Sequence, residues 1–358
     1  MTRSGLAVGV VAVAATALLV PMSATADPAA GARAAGVAAP IDPLAGKKVF
    51  LDPGHQGTGH SEDLSRQVDD GRGGTKDCQT TGMTTLGGVP EHTITWDVAQ
   101  LVKAGLENLG ATVELSRQDD TGWGGCVDER ARAAGASGAD LAVSIHADST
   151  TAGEDTTRHG FHLIVPTLPI PDPKVDEVQS GAGRVATEAI RDAYVEGGFT
   201  PANYAGVVDG IQTRDDIAGP ALTTVPLAFV EMGNGSNPDD AAVLESQNGR
   251  LEHAVAIIVG AVDYLMGAGG TDAAAATTPT TTAPTTTAAP ARAADTPATT
   301  TPAAPVTTTA PAGQDLGAIG ALLDALGLGG VADLVDAEDL GDLVGLLSAL
   351  LDLVGAQG

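Results

Sequence analysis

Two periods of apolar residues alternate along the middle of the chain. Lys48-Val49-Phe50-Leu51 reads as a short strand. Thr93 to Leu109 carries Ile94, Val98, Leu101, Val102 and Leu106 at helical spacing, with Gly110 as a stop. Ala111 to Leu115 alternates as a strand does, Asp128 to Ala136 reads as a helix, and Leu141 to Ile145 as a buried strand. Phe161 to Val165 is a further strand, Val175 to Val195 is largely helical, Val225 to Val230 is a strand, and Asp239 to Met266 is mostly helix. Strands alternating with helices predict an α/β fold around a central sheet. The domain spans residues 46–267, long enough to bury a full core.

The pattern changes outside that domain. Arg3 precedes an apolar run from Leu6 to Val20, and Ala24-Thr25-Ala26 supplies the small residues of a cleavage site. Residues 1–26 therefore read as a signal peptide; the run is short and wrongly flanked for a membrane span. Residues 27–45 are rich in Ala, Gly and Pro and read as a flexible leader. Residues 268–314 are dominated by Thr, Ala and Pro, a composition that buries no core and predicts a disordered linker. Residues 315–358 are Leu-rich and acidic, with Leu343, Leu346, Leu347, Leu350, Leu351 and Val354 on one helical face. A short helical segment is expected there, covered by self-association or by an envelope partner.

The formal charge is −27, or −28 once Arg3 leaves with the signal peptide. Such acidity argues against nucleic acid and anionic lipid as partners and for solubility. Aromatic residues make up only 3% of the chain, so the core must rest on Val, Leu, Ile and Ala. The two cysteines, Cys78 and Cys126, lie in Gly-rich polar stretches. In an exported protein an even pair suggests a disulfide stapling two loops; a role as metal ligands is the alternative.

Four residues stand at the predicted ends of elements. His55 follows Leu51-Asp52-Pro53-Gly54, where a Pro-Gly turn ends a strand. His146 follows the strand Leu141 to Ile145, Glu231 follows the strand ending at Val230, and Glu91 stands at a helix start after Pro90. Three of the four thus share the carboxyl edge of the sheet, where α/β proteins bind ligands. Two imidazoles and a carboxylate form a donor set for an open, catalytic zinc, and a second carboxylate is the proton shuttle such a site needs. On spacing alone, a metal centre and a set of unrelated packed residues both stay open. Asp52 and Asp148 flank ligand candidates and read either as partners orienting an imidazole or as turn caps. No role is assigned to His60, His92, His159, His162 or His253; His92, beside Glu91, is the residue most easily confused with a ligand.

Val49-Phe50-Leu51-Asp52-Pro53-Gly54-His55, Pro90-Glu91, Ser144-Ile145-His146-Ala147-Asp148, Gly160-Phe161-His162 and Val230-Glu231-Met232-Gly233-Asn234 with Asn237-Pro238 together resemble the zinc-dependent N-acetylmuramoyl-L-alanine amidases of the amidase type 3 family. The likeness is greatest to secreted mycobacterial and related actinobacterial members and covers about Lys47 to Met266. It implies a central, mostly parallel sheet flanked by helices. It also implies His55, Glu91 and His146 as zinc ligands, Glu231 as catalytic acid/base, and hydrolysis of the amide between N-acetylmuramic acid and L-alanine in peptidoglycan. The expected protein is secreted, has no membrane span once mature, and takes peptidoglycan or muropeptides as substrate in wall remodelling, turnover or cell separation. The actinobacterial likeness suggests diaminopimelate-type stems.

Two features depart from the family pattern. The segment from Gln56 to Pro90 is longer than the usual link, and a Cys78–Cys126 disulfide would tie it to the loop before the Asp128 helix, as a groove wall or a lid. Wall-binding repeats are not recognisable. The competing readings are a catalytically silent peptidoglycan-binding or regulatory module, which loss of a ligand or of Glu231 would favour, and an amide hydrolase restricted to soluble muropeptides or peptides.

Overall fold

Val49, Leu51, Val143, Ile145, Ala228 and Val230 alternate with Phe50, Ala142 and Leu227 along neighbouring strands, so the two sets face opposite sides of one sheet. In the computed structural model, which describes residues 42–151 and 156–267, this sheet has six strands. The expected signal peptide, the leader up to residue 41, the linker and the Leu-rich segment lie outside the described residues. Strand β1 (Lys48–Pro53) is followed by the short β2 (Gln67–Asp69) and β3 (Thr75–Asp77), helix α1 (Glu91–Asn108), β4 (Thr112–Leu115), α2 (Val127–Ser137), β5 (Leu141–Asp148) and β6 (His162–Pro166). Then come α3 (Pro173–Ser180), α4 (Ala182–Glu196), β7 (Ile211–Arg214), α5 (Ala218–Leu222), β8 (Leu227–Asn234), α6 (Pro238–Glu245) and α7 (Gln247–Gly267).

The strand order is β4-β1-β5-β8-β6-β7. Every pairing is parallel except β6 with β8, which is antiparallel, so the sheet is mostly parallel as expected. The near-continuous apolar runs of β5 and β8 follow from burial on both faces. Helix α1 lays Ile94, Val98, Val102 and Leu106 on one side of the sheet, and α7 packs between α1 and α4. Gly260 permits that packing, because a Cβ there would lie 2.4 Å from the Ile190 Cα. Helices α2 and α5 cover the other face, where Phe50, Ala134, Ala142 and Leu227 form a smaller core.

The structure departs from the sequence reading in five places. Leu44, placed in the leader, is fully buried and its N–H donates to the Leu109 carbonyl at 2.9 Å, so the fold begins before residue 46. The helix expected over Val175 to Val195 breaks at Gly181, whose φ of −102° and ψ of −101° are not helical. The one expected over Asp239 to Met266 breaks at Ser246, which is extended and accepts the Gly249 N–H on its hydroxyl at 2.9 Å, capping α7. Strands β5 and β8 run three and four residues further than expected, to Asp148 and Asn234. The β2–β3 hairpin, β7 and α5 are additional elements. No described helix is long and apolar enough to cross a membrane.

Candidate metal centre

The chain leaves β1 at Pro53 and turns at Gly54 and His55. His55 has φ +59°, a left-handed conformation that L residues adopt at a cost of roughly 1–2 kcal/mol. The turn lifts the imidazole over the carboxyl end of β1. His55 Nδ1 lies 3.1 Å from the Thr80 carbonyl oxygen. A carbonyl only accepts, so Nδ1 carries the proton and Nε2 keeps its lone pair. That Nε2 stands 3.1 Å from Glu91 Oε2.

Glu91 is the first residue of α1, delivered by extended Pro90. Its backbone N–H donates to the Met83 carbonyl at 3.0 Å and its Oε2 accepts the Met83 N–H at 2.8 Å, while Oε1 accepts the Ala147 N–H at 3.0 Å. His146, in the last part of β5, brings Nδ1 to 3.0 Å from Glu91 Oε1 and stacks on Phe229 with ring centroids 4.6 Å apart. One donor atom from each of His55, Glu91 and His146 falls within 4.8 Å of the others. Two glycines make room. A Cβ on Gly54 would lie 2.4 Å from the His146 ring, and one on Gly82 would lie 2.8 Å from both Glu91 Oε2 and His55 Cδ2.

Burial alone would raise the Glu91 carboxyl, but the two imidazoles outweigh it and hold it well below the usual carboxylate range. Burial pulls His55 down, but the Glu91 charge together with the hydrogen bonds to Glu91 and the Thr80 backbone reverses it, whereas for His146 burial prevails over Glu91 and its affinity for a proton falls. The donor set fits a divalent ion. Its two imidazoles and one carboxylate are the ligand types of a catalytic zinc, with His146 Nδ1 3.0 Å from Glu91 Oε1, His55 Nε2 3.1 Å from Glu91 Oε2, and one donor of each residue within 4.8 Å of the others. The Thr80 carbonyl on His55 is the kind of orienting partner that ligating histidines use.

Glu231 lines the same cavity, of about 320 Å³, as the three donors. The β5–β8 register sets it beside His146 and the β8–β6 register beside His162. Burial, with help from the Asp148 and Glu91 carboxylates, pushes Glu231 well above the usual range, against the opposing charge of Arg214. A carboxyl at this position is placed to exchange a proton with a group bound in the cavity.

All four sequence candidates thus meet at one cavity, with two differences of detail. His146 and Glu231 lie inside their strands rather than after them. Asp52 does not orient an imidazole: its carboxylate accepts from Ser116 Oγ at 2.7 Å, Ser144 Oγ at 2.8 Å and Arg130 Nη1 at 3.1 Å. Asp148 Oδ1 accepts the N–H of the next residue, Ser149, at 2.7 Å. His92 turns away to Asp120 Oδ1 at 2.8 Å and takes no part in the trio. Cys78 and Cys126 form a disulfide, joining the long 56–90 segment to the start of α2. Sequence reasoning missed Thr80 and the buried Arg117 and Arg130.

Residues 49–262 match the Amidase_3 family, described as N-acetylmuramoyl-L-alanine amidase. The chain is 40% identical over 222 residues to an N-acetylmuramoyl-L-alanine amidase of Mycobacterium tuberculosis, a match covering 62% of this chain and 88% of that one. The crystal structure of the N-acetylmuramyl-L-alanine amidase Ami1 from Mycobacterium smegmatis superposes with a TM-score of 0.58 at 41% identity, covering 63% of this chain and 99% of the other. The apo form of Ami1 from Mycobacterium abscessus gives 0.57 at 41% identity, covering 62% and 99%.

Proposed function

Starting from the fact that this chain belongs to the amidase type 3 family of N-acetylmuramoyl-L-alanine amidases, we propose that it is a secreted, zinc-dependent enzyme of peptidoglycan remodelling, turnover or cell separation. The amide it cleaves joins the lactyl group of N-acetylmuramic acid to L-alanine. The observation that carries the reading is the convergence of His55, Glu91 and His146 to within 4.8 Å at a cavity that Glu231 also lines.

His55, Glu91 and His146 would hold a zinc ion, which would supply Lewis acidity to the scissile carbonyl and to the attacking water. Glu231 takes the proton that water loses as its oxygen bonds to the carbonyl carbon. It returns that proton to the alanine nitrogen as the carbon–nitrogen bond breaks, leaving a free amine and a lactyl carboxylic acid that gives its remaining proton to solvent. Thr80 keeps the His55 ring in the tautomer that offers Nε2. Met83 and Ala147 hold the two oxygens of Glu91 through their backbone N–H groups. Secretion rests on the N-terminal sequence, and the cavity's neighbourhood to the β2–β3 hairpin makes the 56–90 segment a wall of the substrate site through Lys76, Asp77, Gln79 and Thr80.

The test is mass analysis of products from intact sacculi and from soluble muramyl peptides, each with and without a chelator. Free stem peptides with a new L-alanine amino terminus are expected only without chelator. Cleavage elsewhere in the stem, or chelator-resistant cleavage, contradicts the reading.

A further inference from the structure

Two guanidinium groups are buried beneath the turn that presents His55. Arg130 is 4% exposed and Arg117 3%. Desolvating such charges is expensive, by several kcal/mol each even after relaxation, unless their donors are well used. Here most of them go to backbone carbonyls around the metal ligands. Arg130 Nη1 donates to the Pro53 carbonyl at 2.8 Å and to Asp52 Oδ1 at 3.1 Å, Nη2 donates to the His55 carbonyl, and Nε to the Gly125 carbonyl at 3.2 Å. Arg117 Nε donates to the Pro53 carbonyl at 3.1 Å, and Nη2 to the His92 carbonyl at 2.6 Å and the Gly54 carbonyl at 3.5 Å. Its Nη1 donates to Asp120 Oδ1 at 3.0 Å and to the Asp119 carbonyl at 2.8 Å, and its Cζ lies 5.0 Å from the centroid of the Trp96 ring.

Three successive carbonyls, those of Pro53, Gly54 and His55, therefore point at guanidinium groups where the chain leaves the sheet. The His92 carbonyl belongs to the residue after Glu91, so Arg117 links the backbone carrying one ligand to the backbone carrying another. Arg130 links the His55 turn to α2, whose first residue follows Cys126 of the disulfide.

Resting on the reading of His55, Glu91 and His146 as metal ligands, we infer that Arg130 and Arg117 are positioning residues for that centre. They hold His55 in its left-handed conformation and fix its separation from Glu91, so the donor set stands formed before an ion arrives. The planar fork of a guanidinium spans two carbonyls at once; a lysine ammonium on a flexible stem does not.

The test uses the full chain with Arg130→Lys and Arg117→Lys, compared with Ile257→Val, a core change in α7. Zinc affinity is measured by chelator competition, the visible absorption bands are recorded after loading with cobalt(II), and folding is followed by circular dichroism. The lysine variants are expected to stay folded, bind zinc 10- to 100-fold more weakly, as loss of orienting partners does, and show altered cobalt bands. Ile257→Val is expected to melt earlier with unchanged affinity and bands. Folded lysine variants with wild-type affinity and bands would overturn the inference alone. So would loss of cooperative unfolding in both, since the clamp would then serve the fold rather than the centre. A wild-type chain that takes up neither ion would bring down the metal reading and this inference together.

Discussion

Gly82 has φ +75°, and the space a side chain would need there is taken by Glu91 and His55. Gly82→Ala is therefore expected to weaken zinc binding by tenfold or more, about 1.4 kcal/mol, read by chelator competition, with a smaller change in thermal stability. The division of labour among the polar groups gives a second prediction. Glu231→Gln is nearly isosteric and removes only the proton carrier, so it should keep its metal by elemental analysis while hydrolysis falls by roughly 10²–10⁴. His55→Ala should lose both metal and hydrolysis. A zinc-free Glu231→Gln protein would contradict the split of roles. His55 and Glu91 were legible in the sequence because each stands at the end of an element close to a proline, whereas Glu231 was marked by the motif Val230-Glu231-Met232-Gly233-Asn234 and Gly82 carried no signal of its own. Arg117 and Arg130 were not: a single arginine after a strand or within a helix looks like ordinary surface charge until its carbonyl partners are known. Thr80 meets His55 Nδ1 through its main-chain oxygen at 3.1 Å and its hydroxyl at 3.3 Å, and a lone threonine in a polar loop carries no signal in the sequence.

Among the elements, the strands that build the sheet were readable because burial on both faces makes them uninterrupted apolar runs, as in Leu141 to Ile145. The β2–β3 hairpin escaped because its strands are three residues each, with Val68 alone as a buried apolar residue. The break between α3 and α4 escaped because Gly181 interrupts an otherwise helical apolar pattern without a proline to mark it. The disulfide holds this poorly patterned region. Cys78 and Cys126 are 48 residues apart, so closing that loop restricts the unfolded chain by about 4 kcal/mol in the chain-entropy model. Cys78→Ser with Cys126→Ser should lower the urea midpoint by an amount equivalent to roughly 2–4 kcal/mol. A double variant as stable as the parent would show that hairpin packing alone secures the segment.

For the molecule as a whole, stability should fall with acidification well above the carboxylate range. His253 is buried beside Tyr194 and Phe199, and burial pulls it down to about 3 from 6.5. An unfolded chain binds a proton there below pH 6.5, whereas the folded one does so only near pH 3, so stability is lost as pH drops between those values, by up to about 5 kcal/mol. Asp52 adds to the loss at the acid end. Burial would raise it, but Arg130, Ser116, His146 and Ser144 hold it below its ordinary value, so what it contributes disappears as pH falls through its folded value. Urea midpoints of the parent and of His253→Leu across pH 7 to 4 check this: the parent should slope more steeply, and parallel curves would remove His253 from the account.

The most direct measurement is anomalous diffraction at the zinc edge from crystals of the zinc-soaked protein. The expected result is one strong peak about 2.0–2.2 Å from His55 Nε2, His146 Nδ1 and a Glu91 oxygen, with Glu231 facing it across the cavity and not bonded to it. A peak bound elsewhere, or no peak between those three side chains at saturating zinc, would contradict the account.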